Sequence, residues 1–275
     1  MEHLVASYLF ELEAAGRSPL TIASYRQALG DLLRFLGRVK VQRVKVEQLR
    51  VYLETLHHLK PGTIRTHCAI ISCFFNWLLE ERIIKENPMK HLRRPKKPHE
   101  WRPIFTTAEL LDILQATEHS DKPIRNKAII YLLLDCGLRL SELSNLQRGD
   151  YDSRSSTLTV NGKGSKVRLV RLGRHCREAF ERHLIQSDGS VWGIHREGVK
   201  ALIYRLGRKA GVKAYPHKFR HSFSSRFLDA GGTIDELAYL LGHADLATTM
   251  IYARAGQRDR ALRSHAEHSP GDRLQ

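Results

Sequence analysis

The sequence predicts a mainly α-helical fold with one small β-sheet, divided into two domains. Three observations carry this. Apolar residues recur at steps of three and four over most of the 275 residues. A period of two appears in one place only, residues 157–171, on either side of a glycine-rich turn. A stretch with four prolines and no apolar period, NPMKHLRRPKKPHEWRP at 87–103, interrupts the helical pattern.

The first domain, 1–90, reads as a helical bundle. Residues 3–15 place Leu4, Tyr8, Leu9 and Leu12 on one face. Ser18-Pro19 has the form of an N-cap followed by proline at the first helical position. From there Ile22, Tyr25, Leu29, Leu32, Leu33 and Leu36 run at helical steps up to Gly37. A third helix spans about 46–59, and Pro61-Gly62-Thr63 opens a fourth that reaches about residue 82. The apolar and aromatic residues of the fourth (Ile70, Ile71, Phe74, Phe75, Trp77, Leu78) read as core. Proline withholds a backbone donor and turns the residue before it away from helix, so 91–103 is expected to be an extended linker. Its basic cluster, Arg93, Arg94, Lys96 and Lys97, suits either a solvated linker or contacts to phosphate.

The second domain, 104–275, opens with a capping box, Thr106-Thr107-Ala108-Glu109. An apolar helix over about 124–136 ends at Gly137. Residues 157–160 and 166–171 then alternate, joined by Asn161-Gly162-Lys163-Gly164-Ser165, which reads as a β-hairpin. Helices return at about 174–186, 196–210, 217–230 and 234–241, the last behind a second capping box at Thr233–Glu236.

Composition narrows the function. Hydrophobic residues make up 42% and charged residues 27%, the balance of a folded globular protein. No apolar run approaches the roughly 18 residues of a membrane span. The N-terminus lacks the layout of a secretory signal. The four cysteines (Cys68, Cys73, Cys136, Cys176) form no CxxC pair, which suits a reducing compartment, so the cytoplasm is the expected location. The net charge is +16, and residues 1–98 and 99–275 each carry +8. Positive charge in both halves points to a polyanionic partner that touches both.

A phosphate-handling site needs donors that neutralise charge spreading over phosphoryl oxygens, and a nucleophile in line with the leaving oxygen. Arginine suits the first task, since its planar fork serves two oxygens and stays charged. Arg139 follows a glycine helix end in Gly137-Leu138-Arg139-Leu140-Ser141-Glu142-Leu143. Arg220 lies three residues after His217 in His217-Lys218-Phe219-Arg220-His221. His243 lies in Leu240-Leu241-Gly242-His243, and Tyr252 nine residues later. Each element alone is ordinary: an HxxR is common by chance, Lys163 fits a solvated turn, and Tyr252 fits a core.

In their order, GLRLSEL, a strand–GKGSK–strand hairpin, HKFRH and LLGHADLATTMIY resemble the tyrosine recombinases, the phage-integrase-like family of site-specific DNA recombinases. The resemblance covers nearly the whole chain and is nearest to a compact Xer-type or simple mobile-element recombinase. It implies a helical core-binding domain followed by an α+β catalytic domain. It implies that Arg139 and Arg220 hold the scissile phosphate and that Lys163 protonates the leaving 5′ oxygen. His217 would act as acid/base or activate the tyrosine, His243 would bond a phosphate oxygen, and Tyr252 would be the nucleophile. Glu142 would buttress the site, and His221 would give structural support. The implied reaction forms a 3′-phosphotyrosyl bond on Tyr252 and exchanges strands between two sites without ATP, a metal or another cofactor. The implied partner is double-stranded DNA, held by a ring of four protomers on a two-site synapse, of this chain alone or with a paralogous recombinase. Arg65 and His67 are candidate base readers. A monomeric type IB topoisomerase shares the chemistry, and a DNA-binding regulator without catalysis is the reading from another class.

Overall fold

The computed structural model describes residues 1–92, 103–162, 167–187, 189–243 and 246–254. The chain divides into two compact units, Met1–Glu100 and Trp101–Gln275.

The first unit is a bundle of α1 (Glu2–Ala14), α2 (Pro19–Leu36), α3 (Val46–Thr55) and α4 (Pro61–Glu80). Ser18 caps α2 by accepting from the Thr21 amide at 3.2 Å. The α4 stripe supplies the core: Ile71, Phe74, Phe75 and Leu78 are fully buried with Leu29, Leu32 and Leu49 from α2 and α3. Tyr8 of α1 lays its ring 5.5 Å from Phe74 and 5.3 Å from Trp77, whose indole donates to Glu11 at 2.8 Å. The exit from the bundle is fixed by buried Asn87, which donates to the Ser72 carbonyl and accepts from the Met89 amide. One expectation is corrected here. His67 lies three and four residues before Ile70 and Ile71, so it falls on the apolar stripe and is buried, where it cannot read a base. Arg65 on the same helix is half-buried.

The second unit holds α5 (Thr107–Glu118), α6 (Pro123–Cys136), α7 (Leu140–Ser144), a sheet, α8 (Arg174–Gln186), α9 (Arg196–Lys209), α10 (Pro216–Asp229), α11 (Ile234–Leu241) and α12 (Ala247–Arg254). Helix α6 is apolar nearly all round and accordingly central, packing against α5, α8 and α10. Both capping boxes form, Thr106 with Glu109 and Thr233 with Glu236. Glu109 also receives Lys218 Nζ at 3.2 Å, and that ammonium lies 4.1 Å from the Phe105 ring centroid, so the entry to α5 is tied to α10.

The sheet is antiparallel in the order β1 (Tyr151–Asp152), β2 (Thr157–Asn161), β3 (Val167–Arg171). Val160 pairs with Arg168 and Leu158 with Val170, and all four point inward. Val167 and Leu169 are exposed, so β3 inverts the usual alternation and buries a charge. Strand β1, α7 and α12 go beyond the sequence expectation. Two- and five-residue elements are too short to show a period, and α12 mixes β-branched and polar residues. Among the described residues no helix is long and apolar enough to cross a membrane.

Gly207 offers a test of close packing. Alanine there gains about 1 kcal/mol of helix propensity. Its Cβ would stand 2.6 Å from both the Val212 carbonyl oxygen and Ala214 Cβ. Backbone cannot swing aside as a side chain can, so Gly207→Ala is expected to lose about 1–2 kcal/mol net in urea unfolding.

Candidate active site

Helix α6 stops at Gly137, whose left-handed conformation (φ 56°, ψ 30°) also brings its Cα against the Phe223 ring; a Cβ would lie 2.4 Å from that ring. The turn places Arg139 at the N-cap of α7. Three residues on, the Glu142 carboxylate accepts the Arg139 amide at 2.8 Å and Arg139 Nη1 at 2.7 Å. Arg168 reaches the same carboxylate from β3, Nη1 to Oε1 at 3.0 Å and Nη2 to Oε2 at 2.8 Å. Burial alone would raise the Glu142 pKa, but the bonds from Arg168 and Arg139 outweigh it and hold the carboxyl below its usual range.

Arg220, buried on α10, is held by backbone. Nη1 donates to the Gly137 carbonyl at 2.6 Å and Nη2 to the Leu241 carbonyl at 2.7 Å. Arg168 Nε donates to the neighbouring Leu240 carbonyl at 2.7 Å. The C-terminal ends of α6 and α11 therefore turn their carbonyls, the negative ends of their dipoles, on two guanidinium groups. Burial, with Arg139 nearby, pulls the Arg220 pKa down to about 10, which leaves it cationic at neutral pH.

His243 continues this network. Its Nε2 faces Arg220 Nη2 at 3.0 Å, and its Nδ1 faces Thr249 Oγ1 at 2.8 Å. A guanidinium can only donate, so Nε2 accepts and the ring proton sits on Nδ1. Burial first, then Arg220, Arg139 and Arg168, pull the His243 pKa to about 4, so the ring is neutral at physiological pH.

Tyr252 comes from α12. Its ring packs with Phe223, Leu228, Leu237 and Leu241, and its hydroxyl lies 2.9 Å from His221 Nδ1. His217 stands one helical turn back on α10, its ring 6.3 Å from that of His221. Arg139, Arg168, Glu142 and Tyr252 all act electrostatically on Arg220, so the five groups converge on one place. Three guanidinium groups and one carboxylate meet there, two of the three paired with it, and the site is net positive.

The structure thus brings together Arg139, Glu142, Arg220, His243 and Tyr252 of the sequence candidates, with His217 beside His221. Lys163 and the linker residues Arg93, Arg94, Lys96 and Lys97 lie outside the described residues. Arg168 was not a candidate, and its signal was parity: it sits two residues before Val170, on the inward side of an alternating strand. His221 was expected only to support the site, and it touches the tyrosine hydroxyl. Among the described residues one cluster has metal-ligating chemistry, Asp135, Cys136 and Cys176, within 4.8 Å of one another. Asp135 already accepts the Gly173 amide, and the Cys136 thiol together with burial pushes the Cys176 thiol up, disfavouring the thiolate a metal requires.

Residues 103–258 match the model of the phage integrase family, and residues 4–85 match that of the phage integrase N-terminal SAM-like domain. The tyrosine recombinase XerC of Alcanivorax borkumensis is 32% identical over 90% of this chain and 88% of its own. That of Staphylococcus aureus is 33% identical over 92% of each chain. Among solved structures, a lambda integrase dimer bound to a COC′ core site superposes with TM-score 0.77 at 17% identity, covering 90% of this chain and 96% of the other. The XerH recombinase bound to a palindromic difH substrate also gives 0.77, at 19% identity, covering 93% and 82%.

Two outcomes follow from this geometry. Arg168→Met strips a buried carboxylate of its bidentate partner and is expected to cost about 3–5 kcal/mol in urea unfolding. Combining it with Glu142→Leu should restore part of that loss, giving a coupling energy in a double-mutant cycle. The second outcome concerns pH. The His243 pKa is depressed in the fold, so its contribution to stability is present above about 6.5 and is lost as pH falls from there toward 4. Between pH 7 and pH 5 the denaturation midpoint of the wild type should therefore fall further than that of His243→Gln.

Proposed function

This chain belongs to the phage integrase family, and from that premise we propose that Tyr252 is its nucleophile and that Arg139, Arg220 and Lys163 hold and neutralise the scissile phosphate. The enzyme is a tyrosine-type site-specific DNA recombinase. The single observation that supports the assignment of Tyr252 most is its placement beside Arg220, with its hydroxyl hydrogen-bonded to a histidine.

A phosphodiester placed against the partly exposed face of Arg139 meets a guanidinium already oriented by Glu142. Because Glu142 and the α6 and α11 carbonyls hold these groups before DNA arrives, little reorganisation is needed as charge builds on the phosphoryl oxygens. Tyr252 Oη attacks phosphorus, a 3′-phosphotyrosyl bond forms, and the 5′ oxygen leaves as a hydroxyl, taking its proton from Lys163. The phosphotyrosyl bond retains the energy of the broken diester, so a 5′-hydroxyl from a second duplex completes strand exchange without ATP. His243, neutral and bonded to Arg220, keeps that arginine aimed at the phosphate.

Double-stranded DNA is the substrate, and the +16 net charge, split between both halves, suits a protein that contacts phosphates through each of them. A lambda integrase, similar in fold, has been solved as a tetramer on a Holliday junction. We extend that arrangement to four protomers on two sites, all of this chain or shared with a paralogous recombinase. The basic linker, Arg93, Arg94, Lys96 and Lys97, and Arg65 of α4 are proposed DNA contacts.

The test uses nicked suicide duplexes bearing the site that the protein selects from a random-sequence pool. Wild type should form an SDS-stable protein–DNA adduct, in EDTA as well as without it, and Tyr252→Phe should form none. An adduct that survives Tyr252→Phe places the nucleophile elsewhere. Arg139→Ala and Arg220→Ala should each cut adduct formation by about 10²-fold or more with DNA affinity largely kept.

A further inference from the structure

The Tyr252 hydroxyl has a specific partner in this fold, and it is the second histidine of HKFRH. His221 Nδ1 lies 2.9 Å from Tyr252 Oη, with the ring centroids 5.6 Å apart. Both rings are held. Tyr252 is clamped among Phe223, Leu228, Leu237 and Leu241. His221 is half-buried on α10, stacked on His217 one turn back and following Arg220, whose guanidinium is anchored to Gly137 and Leu241. An imidazole that carries its proton on Nε2 offers Nδ1 as an acceptor, and a phenol hydroxyl at 2.9 Å is placed to donate to it.

We propose that His221 is a catalytic residue of DNA cleavage, the group that takes the Tyr252 proton as the phenol attacks. The inference rests on the reading of Tyr252 as nucleophile. The step balances: the Oη–H bond breaks, an Nδ1–H bond forms, and the electron pair left on Oη makes the new bond to phosphorus. The bond from phosphorus to the 5′ oxygen breaks, and that oxygen takes a separate proton from Lys163. In religation the imidazolium returns its proton to Oη as the phosphotyrosyl bond opens. His217 takes a different part. It sits in the first turn of α10 behind Pro216, with its ring stacked on that of His221, where helix amides and the dipole favour an anion.

The experiment measures single-turnover adduct formation on the suicide duplex defined above, for wild type, His221→Asn and His221→Ala, each with tyrosine or a difluorotyrosine at position 252. Asparagine keeps an amide where Nδ1 stands, so it preserves the hydrogen bond to Oη and removes only the ability to hold a proton. His221→Asn is expected to slow adduct formation by about 10²-fold with DNA binding and unfolding midpoint unchanged. Difluorotyrosine, whose phenol ionises far more easily, is expected to return most of that loss in His221→Asn and His221→Ala while changing wild type little. The proposal is overturned if His221→Asn cleaves within threefold of wild type, whatever alanine does, since His221 then serves at most to position the hydroxyl. It is overturned equally if the loss is not restored by fluorination. Tyr252→Phe keeps the two readings apart: an adduct formed by that variant removes the nucleophile assignment itself, whereas a silent His221→Asn removes only the proton acceptor.

Discussion

One buried carboxylate organises the site. Glu142 accepts from the Arg139 amide, from the Arg139 guanidinium and twice from Arg168, and so joins the end of α6, the start of α7 and strand β3. Arginines brought this close repel one another, and burial of Arg168 and Arg220 strips away the water that would screen them. A single negative charge placed between two of them makes the cluster tolerable and leaves the site positive. A second carboxylate would halve the net positive charge of this cluster and weaken its attraction for an anion. The number of acids in this site is thus a functional quantity as well as a structural one.

The rest of the compensation comes from backbone. The carbonyls of Gly137, Leu240 and Leu241 lie at or just past helix ends and have no continuing helix to bond. Turning them on guanidinium groups satisfies donors and acceptors together. It also aims the arginines without adding a formal charge that would compete with DNA. Gly242 belongs to the same device. It closes α11 in the left-handed conformation (φ 62°), and a Cβ there would lie 3.2 Å from Arg168 Nη1. The turns that end two helices and the cations that face them form one construction.

Tyr252 depends on a separate, smaller core. Phe223, Leu228, Leu237, Leu241 and Tyr252 form a cluster distinct from the large one centred on α6. Helix α12 is short and weakly patterned, so its packing on α10 and α11 positions the tyrosine more than its own helical preference does. His243, just past α11, and Thr249, in α12, bond to each other, and His243 bonds in turn to Arg220. The placement of the hydroxyl and the aim of the Arg220 guanidinium are coupled through that chain of contacts.

The sequence alone determined the long helices, the hairpin, both capping boxes, and the residue types brought together at the site. These are local properties: a helix face is set by three- and four-residue steps, a cap by residues three apart, and the identity of Arg139, Arg220, His243 and Tyr252 by their own letters. Only the tertiary structure decided the partners. Arg168 and Glu142 are 26 residues apart, Arg168 and Leu240 are 72, and Arg220 and Gly137 are 83. The choice of His221 over His217 for the tyrosine hydroxyl rests on one helical turn, and α12 sets it. Half of these partners are backbone carbonyls, which every residue carries and no side-chain pattern can single out. Their role comes from where a helix happens to end against another element, and that is settled when the core packs.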